Sequence, residues 1–348
     1  MRTVTGVVQH YAWGDLYSLP RLLHTEPDGS PWAEWWLGTH PGGPAQLDDG
    51  TPLSAVAGDL PYLLKLLAAA EPLSLQTHPD ALTAQQGYLR EHAAAIAVDD
   101  PRRIYRDPFA KPELLCAISP FDALCGFRPA AVTDLLLRSI GATGLADELR
   151  EHGLQATVAA LYRGTIPTAP TIAACRANAT PECSVVADLD RRYPGEPSVV
   201  VALLLNLVHL HPGEAIFLGP GNLHAYLLGT GVEVMGASDN VVRGGLTPKH
   251  VDVEELLTVL SFEPLADPVV RPVQVDEFRY RYPTPGARFE LWRFEVDGPL
   301  PHTATGRELA VCTDGDASPL SRGESAYLAP GESVEFDGFC TVYLVAER

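Results

Sequence analysis

Residues 213–221 read G-E-A-I-F-L-G-P-G, and residues 323–331 read G-E-S-A-Y-L-A-P-G. Each copy is a turn led by glycine, a short strand with alternating faces, and a second turn closed by Pro-Gly. A match of this length, 110 residues apart, is difficult to ascribe to composition. It predicts two β-barrel or sandwich units built on one plan. The copies diverge where chemistry would sit: His224 follows the first, and Val334 takes the equivalent place after the second. The first unit is therefore the one equipped to hold a metal, and the second has lost that capacity.

Outward from the repeat, residues 60–67 and 72–78 read as short apolar strands separated by A-A-A-E, which predicts a hairpin. In the second run Ser74, Gln76 and His78 share one face and Leu73, Leu75 and Thr77 the other. Pro79-Asp80 opens a helix predicted over residues 81–95, and a further strand is expected over 113–118. Helical periodicity dominates from about 130 to 193, most clearly over 132–140, 145–152 and 156–162. A Pro-rich stretch over 264–272 precedes a final segment of strands and turns. The expected organisation is a metal-binding catalytic unit over 1–129 with 196–262, a helical insertion over 130–195, and a degenerate second unit over 263–348.

A chain of 348 residues, 46% apolar and 20% charged, can bury a large core, and it exceeds what one core usually sustains. It holds no apolar run of the roughly 20 residues that a membrane span needs. The net charge of −19 argues against nucleic acid or an anionic membrane as partner. A small anionic substrate stays open, because a pocket with a few local cations can bind it. Six scattered cysteines without a C-x-x-C pair read as buried thiols, and Met1–Thr5 lacks a basic segment followed by an apolar stretch. A soluble, cytoplasmic, monomeric protein is expected.

Gln76 and His78 lie two apart on a strand, so both project from one face, about 6.5–7 Å apart along the backbone. That spacing permits chelation of one ion, although a buried histidine that only hydrogen-bonds is commoner. His224 follows the turn Gly219-Pro220-Gly221-Asn222, and Glu113 follows Lys111-Pro112. The arrangement resembles cupins, double-stranded β-helix barrels in which a late histidine after a Pro/Gly turn completes a site begun by H-x-H and a glutamate. Here Q-x-H replaces H-x-H. Two imidazoles, a carboxylate and an amide oxygen suit zinc, and manganese, cobalt or iron could occupy the same ligands.

Longer blocks resemble one family within that fold. L-P-Y-L-L-K-L-L-A-A-A-E-P-L-S-L-Q-T-H-P-D (60–80), K-P-E-L-L-C-A-I (111–118), F-D-A-L-C-G-F-R-P (121–129), L-L-L-N-L-V-H-L-H-P-G-E-A-I-F-L-G (203–219) and S-D-N-V-V-R-G-G-L-T-P-K (238–249) are similar to type I mannose-6-phosphate isomerases. Y-A-W-G (11–14) and A-E-W-W-L-G-T-H-P (33–41) fit as well. The resemblance implies a mainly β protein of two cupin-type double-stranded β-helix barrels with an inserted helical domain. It implies interconversion of mannose 6-phosphate and fructose 6-phosphate through a cis-enediol, with one zinc ion on Gln76, His78, Glu113 and His224. It carries pocket roles to Ser74, Lys65, Lys111, Tyr226, Glu233, Asp239, Arg243 and Lys249. Leu223 departs from it, standing where the family usually has proline.

In that reaction Arg243 is expected to stabilise the enediolate rather than hold the phosphate, Glu233, Lys111 or a metal-bound water to take the proton, and Lys65, Lys111 and Lys249 to be available for the phosphate or, if desolvated, for proton transfer. Plainer roles compete for the same residues. Lys65 could be a solvated lysine on an edge strand, Glu233 the outward face of an ordinary strand, Arg243 an ion-pair partner of Asp239, and Tyr226 and Trp13 packing. His10, His40 and His250 read as structural. Rival functions are a sugar-phosphate sensor without turnover, an iron-dependent oxygenase, and an isomerase with a different sugar preference. Retention of the basic residues counts against the first, and Gln76 against the second.

Overall fold

The computed structural model describes residues 1–348. Both copies of the repeat form the predicted unit. The strand Ala215–Leu218 lies between Gly213 (φ 88°) and Gly221 (φ 74°), and the strand Ser325–Leu328 lies between Gly323 (φ 84°) and Gly331 (φ 79°). Each leads into the longest strand of its unit, His224–Gly236 in the first and Ser333–Glu347 in the second.

These long strands organise the fold, because each belongs to two layers. The beginning of His224–Gly236 pairs with Leu75–Thr77 and Phe121–Phe127, whereas residues 229–236 pair with Tyr62–Ala69 and residues 231–235 with Glu113–Ala117. The change falls at a register shift between Tyr226 and Leu228, beside Gly229. Gly229 has φ 125°, and a Cβ there would lie 2.6 Å from the Pro120 carbonyl oxygen, so this crossing admits no side chain. In the second unit Ser333–Phe336 pairs with Leu300–Thr303, and the rest of the strand with Phe289–Asp297 and Glu308–Ser318.

The chain is mainly β, in one 11-stranded and one 9-stranded sheet. Neither ladder closes on itself, so at the level of hydrogen bonding each unit is a pair of facing layers sharing a strand rather than a closed barrel. The hairpin expected from residues 60–67 and 72–78 is absent. Tyr62–Ala69 and Leu75–Thr77 do not pair with one another; each lies against a different half of His224–Gly236. Short-range spacing could not reveal this, because the true partner lies some 150 residues away.

Tyr62–Ala69 is buried on both faces, which is why it reads as a nearly continuous apolar run. Leu67, with Leu115, Ile216, Phe121 and Tyr226, fills the space between the layers of the first unit. Leu64 and Leu66, with Val232 and Val234, pack against Phe289, Leu309, Tyr343 and Val345, so the two units stand back to back. Helices Ala130–Ser139, Thr143–Tyr162, Ala169–Arg176, Pro181–Arg192 and Pro197–Ala202 cover the other layer of the first unit, the second of them broken at Gly153. Their shared core includes Leu137, Val158 and Leu189 against Leu75, Leu223 and Val242. The helical run extends past residue 195, and Arg2–Thr5 pairs with Ser325–Leu328, so the first strand belongs to the nine-stranded sheet.

The predicted helix after Pro79 runs over Ala81–Ala93, its first turn capped by Asp80 accepting from the Thr83 amide at 2.7 Å. All six cysteines are free and buried. No helix is long and apolar enough to cross a membrane.

Candidate metal centre

His224 opens the long strand directly opposite Gln76, and Gln76 is opposite Arg243 on Val242–Gly245. Residues paired across adjacent strands share a face with Cα atoms about 4.5–5.5 Å apart, so these three side chains form one row. Glu113 stands at the start of Glu113–Ala117, in the layer facing them. His78 follows Leu75–Thr77 by one residue. The two layers and the shared strand thus bring His78, Glu113 and His224 together, all three at most 2% exposed.

The ligand atoms of these three residues lie within 4.8 Å of one another. His78 Nε2 is 3.3 Å from Glu113 Oε1, and His224 Nε2 is 3.4 Å from Glu113 Oε2. A tetrahedral ion with bonds of 2.0–2.1 Å sets its ligands about 3.3–3.4 Å apart, which is the observed separation. The hydrogen bonding points the same way. His78 Nδ1 donates to the Asn240 carbonyl at 2.7 Å, and His224 Nδ1 donates to the Asn222 carbonyl at 3.0 Å. Each carbonyl fixes the tautomer that leaves the Nε2 lone pair facing inward. His78 Nε2, His224 Nε2 and Glu113 Oε2 are buried without a hydrogen-bond partner. Lone pairs converging on a carboxylate repel unless a cation lies among them, so this donor set fits a metal ion.

Charge around the centre is balanced tightly. Burial raises the Glu113 carboxyl, but the Lys111 ammonium, 3.0 Å away, is the foremost of the groups that outweigh it and hold the carboxyl well below the usual carboxylate range. Burial pushes the His78 imidazole down. In the same layer Lys65 stands between two buried carboxylates, 2.9 Å from Glu233 Oε2 and 3.4 Å from Glu34 Oε1. The Tyr226 hydroxyl donates to Glu233 Oε1 at 2.7 Å, and the Trp36 indole donates to Glu34 Oε2 at 2.6 Å. Burial works against the Lys65 ammonium, yet Glu233 and Glu34 more than compensate and hold its pKa above the ordinary lysine value.

Residues 1–130 match the model of the phosphomannose isomerase type I catalytic domain. The chain is 34% identical to the mannose-6-phosphate isomerase of Escherichia coli over 96% of this chain and 94% of that protein. It is 31% identical to the human mannose-6-phosphate isomerase over 84% and 81%. The Salmonella typhimurium mannose 6-phosphate isomerase solved bound to substrate and zinc aligns at TM-score 0.90 and 29% identity, covering 100% of this chain and 99% of that one. This chain belongs to the type I phosphomannose isomerases. Membership accounts for the convergence of ligands drawn from three distant blocks, and it directs attention to the remaining polar residues around them.

Within this phosphomannose isomerase fold, Lys65 and Glu233 are central and buried, so the readings of a solvated edge lysine and an outward glutamate are corrected. Tyr226 is packed against Phe121 and also bonds to Glu233. The Ser74 hydroxyl lies 3.5 Å from Gln76 Oε1. Asp239 pairs with His40 at 3.3 Å, and that hydrogen bond holds its carboxyl below the usual range. Arg243 is half-buried and has no carboxylate partner, so it is not the ion-pair mate of Asp239. Lys249 is exposed; burial of its stem and the neighbouring Arg243 and Arg106 lower its pKa. A cavity of about 740 Å³ touches His40, Arg106 and Asp239 but none of the four predicted ligands.

Sequence reasoning passed over Glu34, Trp36, Arg106 and Asn240, and read His40, the partner of Asp239, as structural. Glu34 and Trp36 alternate within the block at 33–41, a signal that places them on one face of a strand without revealing Lys65 as their partner. Asn240 is fully buried, an unusual place for an amide that only its hydrogen bonds explain.

Proposed function

We propose that this chain is an aldose–ketose isomerase interconverting mannose 6-phosphate and fructose 6-phosphate at a zinc site formed by Gln76, His78, Glu113 and His224. The observation that carries this reading is the separation of two imidazole nitrogens and one carboxylate by the edge length of a zinc tetrahedron, in a chain of this family. Gln76, paired across from His224, is the fourth ligand. A zinc ion bound there would supply Lewis-acid polarisation of the sugar carbonyl, an effect worth several kcal/mol on a developing enediolate.

The chain's own residues do the rest. Arg243, one strand from Gln76 and on its face, meets the enediolate oxygen with a guanidinium that no carboxylate neutralises. Lys111 stands at the ligand set and is assigned the proton carried between C2 and C1. Both oxygens of Glu233 are engaged, by Lys65 and Tyr226, so its part is to hold those two side chains in the pocket wall. Ser74, Asp239 and Lys249 complete the sugar-phosphate pocket.

We read the two units as cupin-type double-stranded β-helix modules, the first over 1–129 with 196–262 except that Arg2–Thr5 joins the sheet of the second, the second over 263–348, with a helical insertion from residue 130 that runs on through Pro197–Ala202. The protein is assigned as a cytoplasmic monomer acting on a small sugar phosphate, without nucleic-acid or membrane partners. The test is an isomerisation assay on a panel of hexose and pentose phosphates with metal content measured in the same samples. Mannose 6-phosphate should be the preferred aldose, with activity lost to a chelator and restored by zinc. Turnover unaffected by complete removal of metal would reject the assignment.

A further inference from the structure

Asn240 is fully buried, and its carbonyl orients His78, yet it belongs to neither sheet. It stands in the connection between His224–Gly236 and Val242–Gly245, where no strand ladder fixes the backbone. His78 likewise lies just past the end of Leu75–Thr77. The direction of this imidazole therefore depends on whatever holds the Asn240 carbonyl in place.

What holds it is the segment 106–109. Asn240 Oδ1 accepts from the Arg106 amide at 2.7 Å and the Asp107 amide at 3.2 Å. Its Nδ2 donates to the Asp107 and Phe109 carbonyls at 2.8 and 2.9 Å. Both acceptor sites and both donors of the side-chain amide are thus engaged by backbone groups of one short segment. The residues before it are laced to the same segment: the Ser238 hydroxyl donates to the Phe109 carbonyl at 3.2 Å, and the Asp239 amide to Asp107 Oδ2 at 2.8 Å. Residues 106–109 also form part of the wall of the 740 Å³ cavity. A single buried side chain therefore joins that wall to a metal ligand, with its carbonyl on one and its amide on the other.

We propose that Asn240 is a positioning residue of the metal centre, whose side chain clamps residues 106–109 to the carbonyl that directs His78 at the ion. The inference rests on the metal-site reading. An imidazole already turned toward the ion has little freedom left to lose when the ion arrives, and hydrogen-bond partners one step removed from a metal typically account for about 10–100-fold in its affinity. Coupling of this kind is reciprocal, so a bound ion also tightens the clamp.

The test uses the full chain and its Asn240→Ala variant. Zinc affinity is measured by competition with a chromophoric chelator, and cobalt bound in place of zinc reports ligand geometry through its visible absorption. Asn240→Ala should weaken zinc binding by about 10–100-fold and shift the cobalt bands. In the parent, zinc should slow hydrogen exchange at the Arg106 and Asp107 amides by about tenfold or more, and that slowing should be lost in the variant. Zinc affinity within about twofold of the parent in Asn240→Ala, with the cobalt bands unmoved, would overturn the proposal. Exchange at the two amides unchanged by zinc in the parent would also overturn it, and this measurement decides the matter if the variant does not fold. A parent chain that binds no zinc would instead reject the metal-site reading.

Discussion

Replacing Lys65 with methionine removes the one cation that stands between two buried carboxylates while keeping most of the side-chain volume. Glu34 is 6% and Glu233 3% exposed, so neither can recover its hydration in the folded state. Breaking a buried pair by deleting one partner costs roughly 3–5 kcal/mol. The Tyr226 hydroxyl and the Trp36 indole still donate to the two carboxylates, which places the expected loss near the lower end, about 3 kcal/mol. The effect should depend on pH with a definite sign. Burial already raises the Glu34 carboxyl in the parent, and losing Lys65, the main group that lowers it, raises it further above its unfolded value of about 4.3. A raised carboxyl costs nothing below the unfolded pKa and destabilises progressively as pH climbs through the folded one. The parent behaves oppositely at the other end of the scale: its raised lysine stabilises below about pH 10.4 and loses that contribution only in strong alkali. Urea unfolding of zinc-loaded parent and Lys65→Met proteins at pH 5 and pH 8, compared at each pH so that other titrating groups cancel, measures the difference. The gap should be larger at pH 8, and Lys65→Met with Glu233→Gln should recover part of it. A gap under about 1 kcal/mol at pH 8, or one that does not widen with pH, would refute the picture of an uncompensated buried pair.

The remaining expectations concern the metal and the reaction. His224→Ala should leave a folded chain that retains less than a tenth of the parent's zinc after dialysis, read by elemental analysis, because it removes one of three converging ligands. Arg243→Ala should keep its zinc but lose on the order of 10²–10³ in kcat, the usual effect of deleting a donor to a developing oxyanion. Normal turnover by that variant would remove Arg243 from the chemistry.

Much of this could be read from the chain alone, and the exceptions share a cause. The repeat at 213–221 and 323–331 announced two related units because a strand between two turns is a local pattern, and both copies fold as such. Gln76 and His78 were legible because strand periodicity places them on one face. His78, Glu113 and His224 come together in the structure, as the family resemblance implied. Pairing was less legible. Residues 60–67 and 72–78 suggested a hairpin, yet both strands serve the distant His224–Gly236. Lys65 among leucines read equally well as an edge residue, because sequence does not show that its two carboxylates arrive from positions 34 and 233. Asn240 and Arg106 carried no signal, since the hydrogen bonds that tie them together span more than 130 residues.

The proposed reaction requires His78, Glu113 and His224 to close around one zinc ion. X-ray absorption at the zinc edge, on protein reconstituted with one equivalent of metal, tests it directly. The expected spectrum has a shell of nitrogen and oxygen at about 2.0–2.1 Å with the outer scattering of two imidazoles, and one imidazole contribution is lost in His224→Ala. A sulfur ligand at about 2.3 Å, or a spectrum of zinc surrounded only by water, would contradict it.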